Sequence, residues 1–196
     1  MEINKFNNLC SHYQDTYVIH TLSIKKRDLL FYILLIILSF FVLQLKSSDF
    51  FTITVNQIIS KSIGDKINIS FYIVSSLLWF MLSILTIKYF QVLLEIERQY
   101  KYIKDLEICL QRIYNDNISF TREGVNYKNK NKLFNTWSIF IYRYVFLALL
   151  TIIPAMVIVY QFNPNSGFSV GNIVNIICFL ITFSSTSIYI YTINKA

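Results

Sequence analysis

Long uncharged apolar runs alternate with shorter polar, mostly basic stretches along this chain. The first run, Leu29 to Leu45, carries no charge and lies between Lys25-Lys26-Arg27-Asp28 and Lys46. The second covers Ile67 to Ile87 and stops at Lys88. The third, Tyr144 to Phe162, follows Arg143 and holds Pro154 near its middle, and the fourth, Phe168 to Thr192, ends at Asn194-Lys195-Ala196. A membrane-crossing helix needs about 20 mostly apolar residues. The pattern therefore predicts an all-α polytopic membrane protein with four transmembrane helices. Only Asn163-Pro164-Asn165-Ser166-Gly167, a string of turn-formers, separates the last two runs, so these spans must form an antiparallel hairpin. No small-x-small cleavage site follows the first run and further spans lie downstream, so it reads as a retained span and not a signal peptide.

Two segments between the spans carry their own periodicity. In residues 46–66, Phe51, Val55, Ile58, Ile59 and Ile63 fall at near-helical spacing, which suggests an amphipathic helix on the outer interface. Phe51, Ile53 and Val55 also alternate as a strand would. Between Tyr89 and Tyr114, the residues Val92, Ile96, Gln99, Ile103, Leu106, Leu110 and Ile113 recur at steps of four and three. This is a heptad seam with one polar position. It predicts that the second span continues as one helix into a coiled-coil-like cytosolic stalk, reaching roughly 35 to 40 Å past the membrane by helical rise. The seam must bury its apolar edge, and the expected partners are other copies of the chain or the segment after Asn115. A single glutamine at such a position can fix register or oligomeric state.

The fourth span carries a polar stripe. Asn172, Asn175, Thr182, Thr186 and Tyr189 fall within an arc of about 100° when drawn at helical pitch. Uncharged polar side chains on one face must meet something other than lipid: a hydrogen-bonded helix contact, a wet cavity, or a pore lined by several subunits. Ser75, Ser76, Ser83 and Thr86 make a weaker stripe on the second span, interrupted by Trp79, and their small size suits close helix packing. Pro154 frees the carbonyl of Leu150 and is a candidate hinge, with Thr151 placed to help re-satisfy the local backbone.

Composition agrees with this pattern: 55% of the 196 residues are hydrophobic and only 15% are charged, with a mean hydropathy of +0.48. The net charge of +7 would suit nucleic acid in a soluble chain. By position, however, 15 of the 18 cations lie in the N-terminal segment, the stretch from Lys88 to Arg143 and the tail, against Lys46, Lys61 and Lys66 elsewhere. The positive-inside rule then puts both termini and the middle segment in the cytoplasm. The resulting division is a cytosolic segment 1–28, spans 29–45 and 67–87 flanking an external segment 46–66, a cytosolic helix and basic loop 88–143, spans 144–162 and 168–192 joined by an external turn 163–167, and a cytosolic tail 193–196.

Candidate chemistry is sparse. His12 and His20 have no Cys or acidic companion at metal-ligand spacing, Cys10, Cys109 and Cys178 show no paired spacing, and no acidic residue lies inside any span. Neither an enzyme nor a cofactor nor a metal is expected. The segment from Asn115 to Trp137 interleaves Arg122, Lys128, Lys130 and Lys132 with Phe120, Tyr127, Phe134 and Trp137. Cations with aromatics suit phosphate contact plus base stacking, and equally a basic interfacial loop.

The run Tyr100-Lys101-Tyr102-Ile103-Lys104-Asp105-Leu106-Glu107, then Phe120-Thr121-Arg122-Glu123-Gly124 with Tyr127, then Leu133-Phe134-Asn135-Thr136-Trp137, resembles a family of small bacterial four-span proteins of defence-type operons, the membrane effectors of the Hailong anti-phage system. That resemblance implies a homo-oligomeric ion channel, a tetramer among the candidates, controlled by a short deoxyadenylate oligomer from a nucleotidyltransferase partner. Arg122, Tyr127, Lys128, Lys130 and Lys132 would be the contacts. The expected function is thus an inner-membrane channel effector lined by the fourth span, with a non-conducting scaffold or a holin-like pore former as alternatives. Replacing Arg122 and Lys128 together with Ala should weaken oligonucleotide binding, with a shallower salt dependence. No binding to the unaltered protein at low salt would remove the ligand site.

Overall fold

All secondary structure in the described residues is helical. The computed structural model describes residues 2–46, 53, 54, 56–58, 60, 61, 71–115, 136, 137, 140–161 and 170–195. Helix α1 runs from Glu2 to Lys46 and α2 from Phe71 to Tyr114. A π-helical turn, Ile141–Val145, leads into α3, Phe146–Gln161, and α4 covers Val170–Lys195. Each contains a stretch long and apolar enough to cross a membrane, within Phe6–Leu45, Ile73–Tyr114, Ile141–Gln161 and Gly171–Lys195. Helix α2 is unbroken for 44 residues, as its seam predicts, and stops where Asn115 adopts φ 56°, the left-handed conformation that asparagine tolerates at a helix end. The described positions between 53 and 61 are helical, with Ile53 and Ile58 exposed. Phe51, Val55, Ile59 and Ile63 lie outside the described residues, as does the turn 163–167.

The chain divides into two compact units, Met1–Leu29 with Gln91–Ile141, and Leu30–Phe90 with Tyr142–Ala196. In the first, the N-terminal half of α1 pairs with the C-terminal half of α2. Phe6 stacks on Tyr114, Tyr13 donates a 3.0 Å hydrogen bond to Glu107, and His12 Nε2 lies 2.7 Å from the Tyr102 hydroxyl. Further along, Gln99 Oε1 accepts from His20 Nδ1 at 3.1 Å while its Nε2 donates to Ser23 at 3.2 Å. Rising numbers on one helix meet falling numbers on the other, so the pair is antiparallel. Val92, Ile96, Ile103, Leu106 and Leu110 are buried along it, while Ile113 is exposed. The seam expected to await other copies or the segment after Asn115 is thus covered by α1.

The sequence reading left residues 1–28 without a helix, and the reason is chemical. Phe6, Cys10, Tyr13, Tyr17, His20, Ile24 and Arg27 repeat at steps of four and three, and each is at least partly buried. All but Ile24 are aromatic, polar or cysteine side chains, so an aliphatic count misses the heptad. The polar centre fixes the register: Gln99 is held by His20 and Ser23, both buried, and a slip of one turn would leave all three without these partners.

Among the described residues, parts of the four long helices pack together in the second unit. Phe31 meets Phe146, and Phe146 meets Tyr89, while Phe41 meets Trp79. Helix α1 is therefore antiparallel to α2. Trp79 packs near Phe179 and Phe90 stacks on Tyr189 at 4.4 Å, which makes α4 parallel to α2. Gln161 near Ser75 completes α3 as antiparallel to α2. The segments alternate up, down, up, down, and α3 and α4 form the expected hairpin. Pro154 is buried within α3. Thr151 Oγ1 bonds the carbonyls of Leu147 and Ala148, not the Leu150 carbonyl that the proline frees. Ile103, fully buried, tests the helix pair: Ile103→Ala should cost about 2 to 5 kcal/mol and speed amide exchange across residues 2–29. Unchanged exchange there would mean that α1 does not cover the seam.

Candidate functional site: a polar seam between α2 and α4

The fourth-span stripe turns inward. Asn172, Asn175, Thr182, Thr186 and Tyr189 are all buried, none more than 7% exposed. The facing helix supplies Ser75, Trp79, Ser83 and Thr86 at steps of four, four and three, all buried as well. Trp79 therefore belongs to the second-span stripe and does not interrupt it. The two stripes close on each other. Ser83 Oγ lies 2.9 Å from the Cys178 carbonyl and 3.2 Å from Thr182 Oγ1. Thr182 also bonds the Cys178 carbonyl of its own helix, and Thr186 the carbonyl of Thr182.

Toward the Gln161 end the seam widens into a polar cluster. Asn175 Nδ2 donates to Gln161 Oε1 at 3.0 Å, and Gln161 Nε2 reaches Ser75 Oγ at 3.4 Å. Gln44 of α1 is buried with its amide unpaired among the described residues. Sequence reasoning missed Gln44 and Gln161, which sit at the last turns of otherwise apolar runs and read as span ends. Their only signal is that both are uncharged amides at the same end of the bundle as Asn175.

At the opposite end, a cavity of about 240 Å³ opens between α3 and α4, lined by Arg143, Thr151, Thr186, Tyr189 and Asn194 with Leu147 and Ile190 among the apolar walls. The π-helical turn carries Arg143 to this cavity.

The pore-lining candidates are all buried within the single chain. Thr182 meets Ser83 and Tyr189 stacks on Phe90 of α2, Asn175 bonds Gln161 of α3, and Thr186 and Tyr189 border the cavity between α3 and α4. Arg122, Tyr127, Lys128, Lys130 and Lys132 lie outside the described residues. Among the described residues no group of three or more His, Cys, Asp or Glu side chains could hold a metal ion, and the three cysteines are free thiols.

Among the described residues, the fold and this seam define an all-helical architecture with four helices long and apolar enough to cross a membrane, suited to a multi-pass position in a bilayer. Comparison with protein-family models, with curated proteins and with solved structures finds no match. A double-mutant cycle with Ser83→Ala and Thr182→Val should return a coupling of about 0.6 and at most about 1.7 kcal/mol, the range for hydrogen bonds between membrane helices. Additive effects would mean the two hydroxyls do not interact.

Proposed function

We propose that this protein is a gated, homo-oligomeric pore of the bacterial inner membrane, with both termini cytoplasmic, and that the sealed seam is its closed state. One observation carries the reading. A file of uncharged polar side chains runs the length of a bundle whose other contacts are apolar, and several of its atoms, Trp79 Nε1, Thr86 Oγ1 and Asn175 Oδ1 among them, are buried without a hydrogen-bond partner among the described residues. Static packing would be better served by aliphatic side chains, since an unpaired polar atom in an apolar interior is costly. A path that must hold water in another state needs such atoms.

Conduction then requires α4 to part from α2, exposing Asn175, Thr182 and Thr186. A lining without charge supports weak ion selectivity, as depolarisation of a cell would need. Helix α2 is common to both units, so a ligand that prefers one packing of its cytosolic half biases the bundle. The basic stretch holding Arg122, Tyr127, Lys128, Lys130 and Lys132 is the proposed ligand contact, with a nucleotide-type ligand as in the resembled anti-phage effectors. With its coiled-coil-like seam already occupied by α1, oligomer contacts fall to other apolar faces, such as Val18, Ile19 and Leu22, each more than half exposed.

A second reading, a non-conducting membrane scaffold, is favoured by the direct closure between Ser83, Cys178 and Thr182, which is a complete helix contact as it stands. Ion flux from proteoliposomes separates the two. Asn175→Leu with Thr182→Val and Thr186→Val keeps side-chain size and should reduce flux at least tenfold while the protein still assembles. Flux that survives these changes removes the seam as the path, and an unaltered protein that never conducts leaves the scaffold.

A further inference from the structure

The cavity between α3 and α4 is graded from charged to apolar along its length. Asn175 bonded to Gln161 sets the register of the two antiparallel helices. Counted back along both, Thr151 comes level with Thr186, Leu147 with Ile190 and Arg143 with Asn194, and all six line the cavity of about 240 Å³. Arg143 and Thr151 are separated by roughly 12 Å at helical rise. The two threonines at the inner end have spent their hydroxyl hydrogens on backbone carbonyls, Thr151 on those of Leu147 and Ala148 and Thr186 on that of Thr182. The pair offers no donor there. At the outer end the Arg143 guanidinium and the Asn194 amide supply donors, and Leu147, Ala148, Ile190 and Ile193 lie between.

No carboxylate in this unit's helices neutralises Arg143. The stretches 30–46, 71–90 and 142–195 contain no Asp or Glu, and among the described residues the half-buried Arg143 makes no ion pair. An unpaired guanidinium held partly out of water calls for an anion from outside the chain. A free, hydrated phosphate would gain nothing from the four aliphatic side chains of the wall. Ile190 is 43% exposed and Ala148 is exposed too, so that wall continues onto the outer surface of the hairpin. The cavity is also smaller than the roughly 300 to 1,000 Å³ of pockets that enclose a drug-sized ligand. It suits one part of an amphiphile whose remainder lies along the helices. Arg143 stands in the first turn of the span-length stretch Ile141–Gln161 and Asn194 in the last turn of Gly171–Lys195, the depth at which a bilayer places its phosphates.

We propose that this cavity binds the headgroup of an anionic phospholipid, with the phosphate on Arg143 and Asn194 and the first acyl carbons against Leu147, Ala148 and Ile190. A zwitterionic lipid would bring an ammonium group to a bundle end that carries Lys88, Arg143 and Lys195 and no acid, so a net negative headgroup is the better match. The lipid joins α3 to α4 at the end away from their Gln161 and Asn175 bond. The site stands whether or not the bundle conducts.

Native mass spectrometry of the full-length protein in detergent, titrated with phosphatidylglycerol, with phosphatidylcholine of the same chains or with glycerol phosphate, reads the site. Phosphatidylglycerol should bind about tenfold more tightly than phosphatidylcholine, and Arg143→Gln should weaken it by about the same factor, as loss of a charged hydrogen bond does. Lys195→Gln removes an equal charge at the same end but outside the cavity, where Lys195 lies over the Tyr191 ring, and should leave binding nearly unchanged. Equal binding of the two lipids overturns the proposal, as does an Arg143→Gln protein that binds like the unaltered chain or an equal loss in Lys195→Gln. Glycerol phosphate bound as tightly as the lipid would assign the cavity to a free phosphate and overturn the lipid site. Should Arg143→Gln fail to assemble, Ala148→Phe keeps the charge and fills the apolar wall. It should weaken phosphatidylglycerol binding by a similar factor, and undiminished binding there overturns the proposal equally.

Discussion

A polar side chain inside an apolar bundle has to find its partner within the protein, and that requirement organises the unit built from residues 30–90 and 142–196. Apolar contacts alone would let four helices rotate and slide with little preference, since a lipid-facing and a protein-facing leucine are nearly equivalent. Ser83 and Thr182 remove that freedom between α2 and α4, and Ser75, Gln161 and Asn175 tie α2, α3 and α4. The aromatic contacts then fill the layers between these ties. Phe41, Trp79 and Phe179 lie next to one polar layer, and Phe90 stacked on Tyr189 closes the seam at its other end. The helix orientations follow from these few contacts.

The same logic shapes the pairing of α1 with α2 in the other unit. Aliphatic residues of the α2 seam supply the burial, and Gln99 with His20 and Ser23 supplies the register. Glu107, 3% exposed, is tolerated because Tyr13 donates to it. Each unit thus combines non-directional burial with a small number of directional bonds, and in both cases the bonds select one arrangement among many of similar apolar content.

The spans were legible because length and lack of charge decide them. Runs of Leu, Ile and Phe from Leu29 to Leu45 allow little else, and the Asn-Pro-Asn-Ser-Gly stretch leaves the last two spans only one relation. The α2 helix was legible for the same reason, its seam being aliphatic. The partner of that seam was not: Cys10, Tyr13, Tyr17 and His20 keep the heptad step but carry the polarity of a surface segment. The stripe on α4 was visible as a face, and the choice between pore, cavity and helix contact was not. That choice depends on what α2 presents opposite it, and Trp79, a bulky residue among serines, hid the continuity of the opposing face. Gln44 and Gln161 escaped notice because an amide at the end of an apolar run looks like the edge of a span.

The central claim is that the α4 stripe faces α2 within one chain and that this contact is the closed state of a pore. It is tested most directly by a disulfide across the seam. With Cys10, Cys109 and Cys178 replaced by Ser, Ser83→Cys and Thr182→Cys bring two thiols to positions whose native oxygens are 3.2 Å apart. Mild oxidation should form an intrachain bond, seen as a monomer without free thiols, and should block ion flux until a reductant restores it. Cross-linked dimers, or flux indifferent to a completed intrachain bond, would contradict the account.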